Sequence, residues 1–209
     1  MSYSTIWGYT MPNINMLPDM LTEAEYDDFT AHKYEGDVRV AGNIKAACRR
    51  IREECNWHLY PSEECQATML MNNGRVTVKD NGDLLIQLPA KYVSAVTSVS
   101  IGGTAHTAFS FETNGILRVY DVVFAELKRY TPIVVTYTAG LSDEMLDAIK
   151  ELIAHRVTHA TASSNGITTE AAGGISVTYN ANWVNSARAT ALPDDNKEVL
   201  APYRLQGVF

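Results

Sequence analysis

The chain has 209 residues, 46% of them hydrophobic and 20% charged, with a formal net charge of -7 and three cysteines. These values are typical of a folded protein and allow one domain with an insertion or two small domains. The negative charge disfavours a dedicated nucleic-acid binder. The odd number of cysteines disfavours a disulfide framework and favours a reducing compartment. No apolar run approaches the roughly 20 residues of a membrane helix.

The first third of the chain predicts an arm and two helices. Residues 1–20 lack the basic start and apolar core of a secretory signal, and their composition predicts an extended N-terminal arm. Thr22 and Glu25 form a capping-box pattern that opens a helix reaching about Tyr34. A second helix follows Asp37, a predicted N-cap, and it presents one apolar stripe. That stripe consists of Ala41, Ile44, Cys48, Ile51 and Cys55.

Short runs rich in β-branched and aromatic residues follow from Cys65 to Thr138 and predict an antiparallel β-unit with glycine-containing turns. A third helix is predicted from Ser142. The glycine-rich residues 163–180 predict a mobile loop or a hairpin, because few large apolar groups offset the chain entropy. Pro202 ends a short helix, so residues 203–209 are predicted to leave the body as an extended arm whose deletion leaves melting nearly unchanged.

Together these elements predict an α+β protein, a small α-helical bundle with an inserted antiparallel β-unit and extended N- and C-terminal arms. The predicted boundaries are 1–20 for the N-terminal arm, 21–62 and 139–202 for the helical core, 63–138 for the inserted β-unit and 203–209 for the C-terminal arm.

The segment CNWHLYPSEEC, which begins at Cys55, raises the question of a metal site, because Cys55, His58 and Cys65 are three possible zinc ligands. A fourth ligand is not close in sequence. Cys55 and Cys48 lie on the apolar stripe of the second helix, two turns apart and too distant to bridge, where a free cysteine behaves as a small hydrophobic residue. We therefore interpret the cysteines as core residues and expect Trp57 to pack where the second helix meets the β-unit.

The histidine pair in HRVTH also has the spacing of a metal-binding helix. His155 and His159 are four residues apart, as in zinc proteases, but Arg156 stands where the general-base glutamate is required. A surface or interface pair is the simpler interpretation. The sequence also lacks a Gly-x-Ser-x-Gly elbow and a phosphate-binding Gly-Lys-Ser/Thr loop. No catalytic residue, cofactor or metal is therefore predicted.

Three motifs follow one another in a distinctive order: Ile-Arg-x-x-Cys-x-Trp-His-x-x-Pro-Ser, Leu-Pro-x-x-x-Val-x-x-Val, and a Tyr-Arg-Leu near the C-terminus. This order resembles the tailed-phage head-tail connector family, also called adaptor or head-completion proteins. The resemblance covers roughly residues 20–205, and the chain departs from it in its long N-terminal arm and acidic first helix. The first motif is matched by Ile51, Arg52, Cys55, Trp57, His58, Pro61 and Ser62.

The resemblance implies a structural, non-enzymatic protein of the virion neck, at the head-tail interface, that is assembled in the host cytoplasm and has no membrane association. Its subunits are expected to form a homo-oligomeric ring, a dodecamer, that docks under the portal protein and receives a stopper or tail-completion protein. Double-stranded DNA would pass through the lumen without specific binding, which an acidic balance suits. The implied portal-binding residues are Tyr203, Arg204, Leu205, Val208 and Phe209, and the implied stopper or neighbour contact loop contains Ile167, Thr168, Gly173, Gly174 and Ile175.

Two other classes of protein stay open on the sequence alone. One is a binding module whose β-unit holds a carbohydrate or peptide, which exposed aromatic residues along one β-face would favour. The other is a metal-dependent hydrolase built on Cys55, His58, His155 and His159.

Overall fold

The computed structural model describes residues 17–72, 74–123, 128–163 and 198–205, together with the backbone of four short strands near the N-terminus and between residues 169 and 178. The chain divides into two compact units. The β unit comprises Met1–Pro18, Cys55–Glu144 and Tyr203–Phe209, and the helical unit comprises Asp19–Glu54 and Met145–Pro202. The predicted α+β class is confirmed. Among the described residues, no helix is long and apolar enough to cross a membrane.

Helix α1 of the helical unit spans Glu23–Phe29 and begins with the predicted capping box. The Glu25 N–H donates to Thr22 Oγ1 at 3.2 Å, and the Thr22 N–H donates to Glu25 Oε2 at 2.8 Å. The prediction that this helix reaches Tyr34 is wrong. Ala31 and His32 adopt positive φ angles of 50° and 60°, which a right-handed helix cannot include.

Helix α2 spans Val40–Cys55, and the predicted apolar stripe is buried from Ile44 onward. Val40 takes the buried position at the first turn, whereas Ala41 is exposed. Asp37 lies three residues before the helix rather than at its N-cap. Its carboxylate accepts hydrogen bonds from the Arg39 backbone and guanidinium, and the guanidinium bonds lower the Asp37 pKa to about 2.

Helix α3 spans Asp147–Ser163 and follows a 3-10 turn at Asp143–Met145. Polar pairs complement the buried apolar residues of the helical unit. Arg156 donates to Glu54 at 2.8 Å, and Lys150 donates to Glu25 at 2.6 Å, which is the main reason why the Glu25 pKa is lowered. Two further hydrogen bonds join Tyr26 to Thr158 and Asn43 to Thr161.

The β unit contains two antiparallel sheets. The strands are β1 (Tyr3–Ser4), β2 (Tyr9–Met11), β3 (Glu63–Leu70), β4 (Val76–Val78), β5 (Leu84–Gln87), β6 (Val93–Ile101), β7 (Thr104–His106), β8 (Phe109–Phe111), β9 (Ile116–Val119) and β10 (Pro132–Ala139). The first sheet has the order β1-β2-β3-β10-β6-β7, and the second has the order β4-β5-β9-β8.

Alternation along the central strands defines the core of the β unit. On β3, Cys65, Ala67 and Met69 are buried, and the residues between them are exposed. On β10, Ile133, Val135, Tyr137 and Ala139 are buried in the same alternating way. This period of two places the apolar side chains of both strands on one face of the sheet.

Two strand pairs lie in segments that the sequence did not assign to a sheet. The N-terminal arm contributes β1 and β2, and β2 joins the edge of β3 with Tyr9 opposite Ala67 and Thr10 opposite Gln66. Strands β11 (Thr169–Ala172) and β12 (Ile175–Thr178) pair antiparallel in the helical unit. For residues 163–180 the sequence leaves a mobile loop and a hairpin as alternatives, and β11 and β12 form a hairpin.

Candidate functional site: the C-terminal clasp

The segment that follows α2 places three consecutive side chains in the core of the β unit. Trp57, His58 and Leu59 are fully buried. Asn56 has a φ of 62°, the left-handed conformation that commonly ends a helix, and Leu59 has a φ of 64°. A bulky residue in that region is strained, so the surrounding packing must stabilise the conformation. Trp57 follows the end of α2 in the chain, and its ring stacks with that of Tyr92 in the β unit.

Backbone contacts attach this segment to the end of β10. His58 Nε2 lies 2.9 Å from the Ala139 carbonyl oxygen, and because a carbonyl only accepts, Nε2 carries the proton. The Leu141 N–H donates to the Leu59 carbonyl at 2.7 Å. Gly140 lies between these contacts with a φ of 141°, and a Cβ there would be only 2.3 Å from the Pro61 carbonyl oxygen. Only glycine therefore fits this junction.

The C-terminal segment docks on the same place, and we call this arrangement the C-terminal clasp, formed by Cys55, Trp57, Tyr92, Tyr203 and Leu205. The Trp57 indole N–H donates to the Tyr203 carbonyl at 2.6 Å, and the Leu205 N–H donates to the Cys55 carbonyl at 3.1 Å. Leu205 is only 5% exposed. The clasp therefore combines two hydrogen bonds with burial of an apolar side chain.

Three aromatic rings of the clasp form a continuous stack. The Trp57 and Tyr92 ring centroids are 6.2 Å apart with an interplanar angle of 10°, and those of Tyr92 and Tyr203 are 6.0 Å apart with an angle of 28°. Burial raises the Tyr92 pKa, and the neighbouring Tyr203 adds to this effect. Tyr92 also has a φ of 54°, another left-handed residue held by packing.

The clasp unites the three motifs of the sequence resemblance. Trp57 belongs to the first motif, Tyr203 and Leu205 to the third, and Tyr92 lies inside the second, in LPAKYVSAV. Sequence reasoning missed Tyr92, because it occupies one of the unspecified positions of that motif. The feature of the sequence that could have indicated Tyr92 is its position as an aromatic residue directly before strand β6.

Residues of the predicted C-terminal arm are therefore part of the body as far as they are described. Ala201–Tyr203 form a 3-10 turn, and Tyr203 and Leu205 pack in the clasp rather than projecting from it. Tyr203 and Leu205 thus attach the start of the predicted arm to the β unit. Arg204 is half-buried between them, and Val208 and Phe209 lie outside the described residues.

Of the predicted stopper or neighbour contact loop, Ile175 is the first residue of β12. Ile167, Thr168, Gly173 and Gly174 lie outside the described residues. The contact assignment of this loop stays a prediction.

All three cysteines are buried in the protein. Burial raises the Cys65 pKa to about 12, with the charges of Glu63 and Glu64 adding to it, so the thiol stays protonated at neutral pH. Cys48 and Cys55 are also buried. Within the described ranges, no group of three His, Cys, Asp or Glu side chains is placed to hold a metal ion.

The histidine pair lies on α3, in the helical unit, whereas Cys55 and His58 belong to the β unit. His155 is on the surface, with its ring edge-on to Phe29 at a centroid distance of 5.3 Å and its Nε2 3.8 Å from a Glu151 oxygen. His159 is exposed as well. This agrees with a surface pair.

The four-stranded sheet offers a test of the binding-module alternative. Phe109 and Phe111 oppose Val119 and Leu117, which are fully buried, so both lie on that side of the sheet, where Phe109 is half-buried and Phe111 is 37% exposed. The opposite side of the sheet carries the row Thr77, Leu85, Arg118 and Ser110. None of these four is aromatic, so this row does not favour a carbohydrate or peptide platform.

Comparison with known proteins identifies the fold. No protein-family model matches the chain, and no curated protein matches its sequence. Solved structures match over almost the whole length. The neck of an empty GTA particle computed with C6 symmetry matches with a TM-score of 0.52 and 15% identity, over 96% of this chain and 97% of that chain.

Two further structures match at lower TM-scores. A neck of a native GTA particle computed with C12 symmetry has a TM-score of 0.47 and 14% identity, over 100% of this chain and 97% of that chain. The virion of a native gene transfer agent particle has a TM-score of 0.49 and 14% identity, over 96% and 97%. The match to the C6 neck shows that this chain has the fold of a chain in a gene transfer agent neck, which is consistent with its resemblance to head-tail connector proteins.

Proposed function

We propose that this protein is a structural subunit of a virion neck, a head-tail connector that forms a homo-oligomeric ring, docks under the portal protein, extends the DNA channel and receives a stopper or tail-completion protein. The observation that carries the proposal is the fold match to the neck computed with C6 symmetry, over 96% of this chain and 97% of the other.

A ring is the assembly that this comparison supports. Cyclic symmetry arises when one surface of a subunit binds a different surface of the next and the rotation closes. A dodecamer is compatible with sixfold symmetry, because two subunits can form each repeat. The net charge of -7 suits a lumen through which DNA slides, since weak phosphate contact allows movement.

The C-terminal clasp supports a division of labour in portal docking, by which we mean that some C-terminal residues hold the segment on the β unit and others contact the portal. Tyr203 and Leu205 are packed against the β unit, so we assign them to holding the segment in place. Arg204 is half-buried, so part of its side chain is accessible, and we assign its guanidinium to pairing with a portal carboxylate. Val208 and Phe209 are proposed as the apolar contacts with the portal, and the loop from Ile167 to Ile175 as the contact with the stopper or neighbour.

Native mass spectrometry of the purified chain, alone and with a portal ring, tests the proposal. We expect a closed ring, with twelve subunits, in the presence of the portal. A chain that stays monomeric in both samples and does not bind the portal would contradict it.

A matched pair of variants tests the division of labour. Truncation after Leu205 and Arg204→Ala are both expected to weaken portal binding at least tenfold while the melting temperature of the free subunit changes little. A truncated chain that binds the portal as tightly as the full chain would show that residues 206–209 are not the anchor.

A further inference from the structure

The helical unit carries opposite charges in two parts of its sequence. Residues 19–28, which lead into α1 and form most of it, contain acidic and no basic side chains. Residues 38–52, which include most of α2, contain basic and no acidic side chains. The acidic residues are Asp19, Glu23, Glu25, Asp27 and Asp28, and the basic residues are Arg39, Lys45, Arg49, Arg50 and Arg52.

Each helix presents part of its charged run on the surface. The outward side of α1, which we call the acidic face, is formed by Glu23, Ala24, Asp27 and Asp28. The outward side of α2, which we call the basic face, is formed by Gly42, Lys45, Ala46 and Arg49. Only Asp27 among these is half-buried, and the others are exposed. Because both faces are exposed, they do not cover each other within one subunit.

Contacts within each helix leave the charged groups accessible. His32 lies 3.9 Å from Asp28, yet the Asp28 side chain is 80% exposed. Glu53 lies 3.0 Å from Arg49, yet the Arg49 side chain is 79% exposed. Both charges can therefore contact another molecule.

The acidic face opposes the electrostatics of its own helix. Asp27 and Asp28 lie in the last turn of α1, which has no basic residue. The carboxyl end of a helix carries a partial negative charge and favours cations, so these two carboxylates destabilise the free subunit. Residues that break a local rule are expected where function requires them. A cationic surface bound to this face would offset the repulsion.

The charges of the two faces have the same spacing. Glu23 and Asp27 are four residues apart, as are Lys45 and Arg49. Residues four apart are neighbours on one side of a helix, separated by about 6 Å along its axis. Two ion pairs, one helical turn apart, can therefore form between an acidic face and a basic face.

Small side chains lie between these charges. Ala24 lies in the acidic face, and Gly42 and Ala46 lie in the basic face, where a Cβ at Gly42 would meet nothing within 4 Å. The distance between packed helices depends on the side chains at the contact, so small ones allow close approach. Val38, just before α2, is 94% exposed and adds apolar surface beside the basic face.

We propose that, in the ring, the acidic face of one subunit binds the basic face of the next subunit. The occupant of each face is a second copy of this chain, which carries the complementary charge at the matching spacing. Because the two faces are different surfaces of one subunit, the contact is head-to-tail, the kind that a closed ring requires. The inference rests on the proposed ring and names the surfaces that join its subunits.

Two charge-reversed variants test this contact. Asp27→Lys with Asp28→Lys makes the acidic face positive, and Lys45→Glu with Arg49→Glu makes the basic face negative. Each variant alone presents like charges at every contact, so neither should form, with the portal, the ring that the wild type forms. An equal mixture of the two should form rings, because alternating subunits join opposite charges at every contact. Native mass spectrometry should find equal numbers of the two variants in each ring.

Two controls separate this contact from folding and from net charge. The reversal at Asp27 and Asp28 places cations at the carboxyl end of α1, so the melting temperature of the free subunit should equal or exceed that of the wild type. Lys128→Glu with Arg129→Glu, at two exposed basic residues of the β unit, changes the net charge as much as the basic-face variant does. This control variant should still form the ring.

A ring formed by either face variant alone would overturn the inference. So would a mixture that forms no ring, because a face that binds the portal or supports folding cannot be restored by exchanging subunits. Loss of the ring in the control at Lys128 and Arg129 would also overturn it, since net charge rather than the two faces would then decide assembly. If the wild-type chain forms no ring, the proposed function fails and this contact fails with it.

Discussion

The two ends of the chain, which the sequence describes alike as extended arms, are attached to the β unit in different ways. Residues 203–205 dock through side chains in addition to backbone: Tyr203 lies in an aromatic stack, Leu205 is buried, and the Tyr203 carbonyl and the Leu205 N–H form hydrogen bonds. The N-terminal strands dock through backbone, by two residue pairs between β2 and β3. The C-terminal residues occupy a site that fits their side chains. The N-terminal strands are held by backbone pairing, which does not require a particular side chain.

This difference predicts different roles. A side chain buried in a fitted site contributes stability that is lost when the site is altered. A short backbone ladder at a sheet edge contributes little to stability, and another strand can replace it. We therefore assign the described part of the C-terminal segment to the stable body, and expect the N-terminal strands to contribute less to stability.

The largest expected effect follows from removing the aromatic centre of the clasp. Trp57→Ala deletes a fully buried indole and the hydrogen bond to the Tyr203 carbonyl, and should lower the free energy of unfolding by about 3 to 5 kcal/mol. Urea denaturation measures this. Tyr130→Ala, at an aromatic residue that is 68% exposed in the same unit, is the matched control and should change stability by less than about 0.5 kcal/mol. If the two substitutions lowered the free energy of unfolding equally, the buried position of Trp57 in the clasp would be contradicted.

The second prediction concerns the C-terminal segment itself. Leu205→Ala should lower the free energy of unfolding by about 2 kcal/mol or more, because it opens a cavity under a side chain that is 5% exposed. Val123→Ala, at a residue that is 65% exposed, should have almost no effect. If Leu205→Ala unfolds like the wild type, Leu205 does not stabilise the subunit. Residues 203–209 would then behave as the free arm expected from the sequence, whose deletion costs no stability.

The sequence predicted the local features of the fold better than the long-range ones. The capping box of Thr22 and Glu25 and the apolar stripe of α2 from Ile44 onward depend on neighbours in the chain, and both are present in the structure. The early end of α1 was not predictable, because Ala31 and His32 carry no turn signal yet have positive φ angles.

The clasp could be predicted only in part. Its members come from three separate places in the chain, and their order suggested a family resemblance without showing that they meet. The final residues looked like an arm because so short a segment cannot bury itself. It is buried instead by Cys55, Trp57 and Tyr92, which contact it from more than 100 residues away in sequence.

The third prediction tests the N-terminal side of the comparison. Deletion of residues 1–11 removes two strands and the two described residue pairs with β3, so the free subunit should lose less than about 1 kcal/mol of stability. A loss of stability as large as that of Leu205→Ala would mean that both ends are anchored alike, and the comparison would fail.

The smallest effect is expected from the ionisation of Tyr92. Burial, together with the neighbouring Tyr203, raises the Tyr92 pKa above its ordinary value of 10.0, so the folded chain favours the neutral phenol more than the unfolded chain does. This contribution to stability is fully present below pH 10 and is lost as the pH rises through the folded-state pKa. Tyr92→Phe keeps the aromatic ring and removes the ionisable group. Urea denaturation should therefore give similar stabilities for the two proteins at pH 8, and above pH 10 the wild type should lose more stability than Tyr92→Phe. If Tyr92→Phe and the wild type lose stability in parallel up to pH 11, the hydroxyl of Tyr92 is not held in an apolar site, and the stack with Tyr203 is looser than the centroid distance of 6.0 Å indicates.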